Sequence, residues 1–161
     1  MSYESLQHDG IIRRHRFDQD ELRVNVEEML ALVAQDLGDA KGSGISLDAH
    51  YGFAYNAARV AAEILMLAEG FWPGKAIGNH AAVFMFLGDM EAGDWADEAE
   101  FFDDAREKRN VMQYRRAGVA TQAEVHEVAD AAMRFVSRVR DWLTKHHPEL
   151  VPDPPSSPEY P

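Results

Sequence analysis

Cysteine is absent from the 161 residues of this chain. Disulfide bonds, thiolate metal sites and thiol catalysis are therefore excluded. Proline is nearly absent as well until residue 148, since only Pro73 precedes that point. Six of the seven prolines lie in the tail that begins at Pro148. Because proline cannot continue a helix, we expect this tail to be extended or disordered.

Long apolar runs and excess basic charge are also lacking. The longest apolar run, 81–87, is far too short to span a bilayer, and residues 1–16 lack the apolar core of a signal peptide. We therefore expect a cytoplasmic protein that does not enter membranes. With 16 basic and 28 acidic side chains the net charge is −12, which argues against binding of duplex DNA. A local basic patch could still bind RNA.

Motifs for metal, phosphate and nucleophile sites are missing from the chain. None of the seven histidines follows a glutamate by three residues, the spacing that helical bundles use to hold metals. Residues 70–75 lack the spacing and the Ser or Thr of a phosphate loop, and no Gly-x-Ser-x-Gly occurs. We expect neither a metal nor a cofactor.

Apolar residues recur with helical spacing in five segments. Their predicted limits are Asp18 to Gly38, Ser46 to Gly70, 76–91, 95–116 and Thr121 to Lys145. The second segment is rich in alanine, which lets neighbouring helices approach closely and predicts a central position. Residues 71–74 are expected to form a turn, and no strand is predicted.

This pattern predicts an all-α fold, an antiparallel up-and-down bundle of four to five helices. The predicted organisation is an N-terminal arm at 1–17, a bundle at 18–147 and a proline-rich tail at 148–161.

The fourth predicted helix separates its charges along its length. Its acidic residues come first and its basic residues last: Asp94, Asp97, Glu98, Glu100, Asp103 and Asp104, then Arg106, Lys108, Arg109, Arg115 and Arg116. The order suits the helix dipole. Because it also suits pairing with an antiparallel copy, we expect a homodimer with this helix at the contact.

Arg109 is unusual because it falls on the apolar side of this helix, beside Ala105 and Met112. Arg106, Asn110 and Tyr114 form a neighbouring stripe at intervals of four residues. These groups could together bind a phosphate and hydrogen-bond or stack on a base. The alternative is a polar network between helices or subunits.

The order of motifs resembles the HEPN family. An alanine-rich helix ending at Gly70 is followed by Gly78-Asn-His-Ala-Ala, then by Arg109-Asn-Val-Met-Gln-Tyr114, and the resemblance covers about residues 20–145. It implies a helical bundle, commonly dimeric. Members include metal-independent ribonucleases of toxin and phage-defence systems, and partner or substrate-binding modules of nucleotidyltransferases.

The family's ribonucleases use an arginine, a polar neighbour and a histidine four to six residues further on. Arg109 and Asn110 match the first two positions, and Tyr114 stands where the histidine would be. A tyrosine, with a pKa near 10, is a poor base at neutral pH. The resemblance therefore implies candidate catalytic residues Arg109, Asn110 and Tyr114. Arg106 and Arg115 join them as candidate phosphate-binding residues.

Three hypotheses follow. The first is a dimeric HEPN-like module that binds a nucleotide, RNA or a nucleotidyltransferase, with weak catalysis or none. The second is a metal-independent endoribonuclease. The third is a structural protein whose polar stripe only joins helices.

Overall fold

The structure is a computed structural model that describes residues 3–114 and 118–152. It is an all-α bundle with a very small sheet. The helices are α1 (Glu4–His8), α2 (Gln19–Asp39), α3 (Leu47–Ala68), α4 (Asn79–Asp89), α5 (Ala96–Tyr114) and α6 (Gln122–His146), and the strands are β1 (Ile12–Arg14) and β2 (Phe71–Pro73). No described helix is both long and apolar enough to cross a bilayer.

Three predicted helix starts are confirmed by their capping contacts, whereas the third predicted helix, expected from residue 76, begins at Asn79. The Asp18 carboxylate accepts hydrogen bonds from the backbone at the start of α2, and the Ser46 hydroxyl accepts one from Ala49 at the start of α3. Thr121 and Glu124 form a reciprocal capping box at α6. Each contact satisfies backbone N–H groups that a helix leaves without an internal partner.

The third helix, α3, is the centre of the bundle and packs against α2, α4, α5 and α6. Five alanines make this possible, because their small side chains let four neighbours approach: Ala54, Ala57, Ala58, Ala61 and Ala62, all buried. The central position predicted from these alanines is confirmed. It brings residues of α2, α4 and α5 around one side of α3.

The small sheet corrects the expectations that residues 71–74 form only a turn and that the chain has no strand. Residues 71–74 were expected to be only a turn, but β2 pairs with β1 in antiparallel register, with Ile12 opposite Pro73. Strands of three residues are too short to show an alternating pattern. The close approach requires Gly74, because a Cβ there would lie 2.0 Å from the Gly10 carbonyl oxygen.

Both ends of the bundle are longer than the sequence indicated. The segment predicted to be an arm packs into the core, with Tyr3, Leu6 and Ile12 buried. At the other end, residues Pro148–Leu150 form a 3-10 turn that buries Leu150, although the whole tail was expected to be extended or disordered. Burial of these apolar side chains stabilises both segments against the bundle. The rest of the tail, 153–161, lies outside the described residues.

A strained turn fixes the start of α5. The third predicted helix was expected to run to residue 91, but α4 ends at Asp89, and Glu91 and Ala92 adopt left-handed backbone conformations with φ of 52° and 57°. The Glu91 carboxylate accepts hydrogen bonds from the indole N–H groups of Trp95 and Trp142. Both indoles are buried, so this single carboxylate joins the turn to the start of α5 and to α6.

Replacement of Glu91 by alanine should therefore lower the free energy of unfolding by about 2–4 kcal/mol, because two buried donors lose their acceptor. Ala92→Gly should raise it by about 1 kcal/mol, because glycine adopts the left-handed conformation without steric cost. Urea denaturation of both variants measures the two effects separately. A loss below about 0.5 kcal/mol for Glu91→Ala would show that the carboxylate is not what holds the indoles.

Candidate functional site: an arginine cluster around Tyr55 and His80

Three arginines from two helices meet beside a buried tyrosine and a histidine. Arg59 lies one turn beyond Tyr55 on α3, Arg106 and Arg109 come from α5, and His80 stands near the start of α4. The Arg109 guanidinium lies over the Tyr55 ring, 5.4 Å from its centroid. All three positive charges act on the pKa values of both Tyr55 and His80. We call Arg59, Arg106 and Arg109 the arginine cluster.

The three charges are not equally compensated. Arg59 pairs with Glu63 at 3.1 Å, and Arg106 pairs with Asp103 at 2.8 Å and with Glu107 at 3.9 Å. Within residues 3–114 and 118–152, Arg109 has no carboxylate partner and donates only to the Gln113 side-chain oxygen at 3.3 Å. A half-buried guanidinium without a counter-charge is costly in a protein interior. A bound anion would therefore stabilise Arg109 more than the other two arginines of the cluster.

A hydrogen bond between Tyr55 and His80 determines what the imidazole can do. The Tyr55 side chain is 0% exposed, and its hydroxyl lies 3.3 Å from Nδ1 of His80. A buried phenol needs a hydrogen-bond partner, and among the described residues this nitrogen is its only side-chain partner. Donation from the Tyr55 hydroxyl to Nδ1 corresponds to the neutral ring with its proton on Nε2, where it offers a donor.

The pKa values keep both groups neutral at physiological pH. Burial, together with the charges of Arg59, Arg109 and Arg106, lowers the pKa of His80 to about 4. Burial also raises the pKa of Tyr55 to about 12, although the same arginines favour its ionised form. Tyr55 and His80, the two groups beside the arginine cluster, are therefore both uncharged at physiological pH.

The predicted site residues separate into two groups in the structure. Arg106 and Arg109 are half-buried in the arginine cluster, whereas Asn110 is exposed and Tyr114, at the end of α5, is 80% exposed. The structure thus places Asn110 and Tyr114 on the exposed part of α5, apart from the inward-directed Arg109, and their role in a site stays a prediction. Successive residues of a helix point about 100° apart, so Asn110 cannot share the inward direction of Arg109. Arg115 lies outside the described residues.

Arg59, Tyr55 and His80 were not predicted as site residues. His80 was considered only as a metal ligand, and it lies on a different helix from the arginines that it approaches. The one local signal was the spacing of Tyr55, Arg59 and Glu63 at intervals of four, which places them on one face of a helix. In the described part of the chain, no group of three or more histidine or acidic side chains could hold a metal ion.

The charges of α5 find partners within the chain. Glu98, in its acidic half, pairs with Arg138 of α6, and Lys108, in its basic half, pairs with Glu124 of α6. Asp103 and Arg106 pair along the helix itself. The charge separation that predicted an antiparallel dimer is thus partly neutralised by intramolecular pairs, and the dimer stays a prediction.

Known proteins do not identify the site. Comparison with protein families, with curated proteins and with solved structures finds no match. The resemblance to the HEPN family therefore rests on the short motifs alone. The function has to be inferred from the arginine cluster itself.

The low pKa of His80 makes stability depend on pH. The pKa of His80 is about 4 in the folded chain and 6.5 in the unfolded chain, so the unfolded chain binds more protons between pH 6.5 and pH 4. The free energy of unfolding therefore decreases as the pH is lowered through this range. From pH 7 to pH 5 we expect a loss of about 2 kcal/mol that is absent from His80→Gln.

Thermal or urea denaturation of the wild type and His80→Gln at both pH values measures this difference. The matched control is His126→Gln on the exposed face of α6, which should lose as much stability as the wild type. If the wild type and His80→Gln respond equally to pH, His80 is not held neutral by its surroundings.

Proposed function

We propose that the arginine cluster binds a phosphate group of a nucleotide or of RNA. Arg109 supports this most directly, because its side chain is half-buried and has no carboxylate partner among the described residues. A guanidinium presents several N–H donors in a plane and suits the oxygens of a phosphate. Arg59 and Arg106 add charge, and the Nε2–H of His80 adds a further donor.

The surroundings of the cluster favour an anion over other ligands. The carboxylates that pair with the cluster stand beside Arg59 (Glu63) and beside Arg106 (Asp103 and Glu107), which leaves the positive charge of Arg109 without one of its own in the described part of the chain. A bound phosphate would offset that charge. It would also raise the pKa of His80, because the arginine charges that now lower it would be partly cancelled.

The geometry supports binding more than cleavage. Tyr114 is 80% exposed at the end of α5, and His80, with its pKa lowered to about 4, is a weak base. We therefore infer a binding or partner module. Association with a nucleotidyltransferase and formation of a dimer belong to the same proposal, and neither is needed for the phosphate site to act.

Removal of Arg109 should weaken binding of a fluorescein-labelled, single-stranded RNA by at least tenfold, because charge-assisted hydrogen bonds to phosphate are lost. Fluorescence polarisation at fixed salt measures the affinity. The control is Arg140→Ala, which removes the same charge from the exposed face of α6 and should change affinity less than about threefold. Equal losses in both variants would mean that only net charge matters and would contradict a specific site.

RNA cleavage without a metal is the second candidate function, and one observation favours it. His80 places an imidazole close enough to Arg109 for the arginine charge to lower its pKa, although the motif itself lacks a histidine. Incubation of RNA with wild type, Arg109→Ala and His80→Gln in EDTA tests this. We expect no cleavage by any of them. Cleavage by the wild type that both variants lose would establish the nuclease instead.

A further inference from the structure

A groove adjoins the arginine cluster on the side facing α2. It has a volume of about 470 Å³, which is large enough for a heterocyclic base. Its walls come from three helices and include two acidic, two amide, one basic and two large apolar side chains: Asp36, Asp48, Asn56, Gln113, Arg109, Phe53 and Met112. Because Arg109 also lies over Tyr55, the groove and the cluster share a residue.

A glycine keeps the groove open. Gly52 lies within α3 and lines the groove, and a Cβ built there would meet no atom within 4 Å. Glycine within a helix costs roughly 1 kcal/mol relative to alanine. Packing does not require it at this position, because the space beside it is empty. A larger side chain would therefore fill the groove without disturbing the helix.

The polar end of the groove is a buried carboxylate. Asp36 is only 6% exposed, and its Oδ2 accepts a hydrogen bond of 2.6 Å from the Asn56 side-chain amide. Burial raises the pKa of this carboxyl group. A desolvated carboxylate with one side-chain donor has room for more, since each oxygen can accept two hydrogen bonds. A ligand whose N–H groups donate to the Asp36 carboxylate would therefore stabilise its negative charge.

A continuous chain of hydrogen bonds links this carboxylate to the arginine cluster. Asn56 donates to Asp36, and its oxygen accepts from the Arg59 Nη2 at 2.8 Å and Nε at 3.3 Å. The groove and the cluster are thus joined both through Asn56 and through Arg109. A single ligand that carries a phosphate at one end and a polar heterocycle at the other fits this arrangement.

We propose that the groove binds the base of a guanine nucleotide, with Asp36 accepting its N–H groups and the arginine cluster binding its phosphate. The proposal rests on the phosphate site described above. Guanine presents two adjacent donors, N1–H and the 2-amino group, which match the two oxygens of a carboxylate. Adenine and cytosine place a ring-nitrogen acceptor beside the amino group, and uracil flanks its N–H with two carbonyls. Phe53 and Met112 supply apolar surface for the ring.

Nuclear magnetic resonance titrations with three ligands test the proposal on the full chain. GMP carries both donors, IMP lacks the 2-amino group, and ribose 5-phosphate lacks the base. We expect GMP to bind about tenfold more tightly than IMP, because one charge-assisted hydrogen bond separates them. The Gly52 amide resonance should shift with GMP and not with ribose 5-phosphate.

Two matched substitutions locate the base. Gly52→Leu should weaken GMP binding at least tenfold and leave ribose 5-phosphate unchanged. Gly38→Leu is the control, because Gly38 is also a helical glycine with no atom within 4 Å of a built Cβ, and it lies outside the groove. Asp36→Asn should abolish the preference for GMP over IMP, and the Asn56 amide can still donate to the new side-chain oxygen.

The outcomes separate this proposal from the one on which it rests. If ribose 5-phosphate binds as well as GMP and Gly52→Leu has no effect, the base site is wrong and the phosphate site stands. If GMP binds no better than IMP, the role of Asp36 is wrong. If none of the three ligands binds, or if Arg109→Ala leaves all three unaffected, both proposals fail.

Discussion

Close packing around α3 positions the groups on which any function depends. The alanines of this helix let α2, α4, α5 and α6 approach it together, and the approach buries Tyr55. A buried phenol needs a hydrogen-bond partner, and here that partner is the His80 imidazole of α4. The same packing brings Arg109 of α5 over the Tyr55 ring. The apolar core thus sets the protonation of an imidazole and the position of a cation.

The arginine cluster shows that net charge is a poor guide to what a protein can bind locally. The chain carries a net charge of −12, yet one half-buried cation has no carboxylate partner among the described residues. Exposed acidic groups further than about 8 Å are largely screened at physiological salt, whereas half-buried charges are screened much less. An acidic surface therefore disfavours long polyanions that need many phosphate contacts, and it leaves a recessed site for a single phosphate in place.

The sequence predicted the fold well and the site only in part. Helix starts at Asp18, Ser46 and Thr121 followed from local capping chemistry, which depends on a few adjacent residues. Arg109 stood out because a cation on an apolar face needs a partner. The partners themselves came from other helices, so no local pattern could show that His80 approaches them. Asn110 and Tyr114 followed from their stripe on the helix and from the family motif, and the helix directs them to solvent.

A half-buried cation without a carboxylate partner among the described residues and an open groove both lower the stability of the chain. The hypothesis of a purely structural polar network gives no reason for either feature. A structural network would be expected to pair Arg109 with a carboxylate and to place a side chain at Gly52, where the space is free. Both changes would stabilise the isolated chain, by relieving an unpaired charge and by improving helix propensity. Residues that lower stability, as Arg109 and Gly52 do here beside one groove, are typical of ligand-binding sites. The shared location of these two features, beside a buried carboxylate that can accept hydrogen bonds, favours one ligand over two unrelated imperfections.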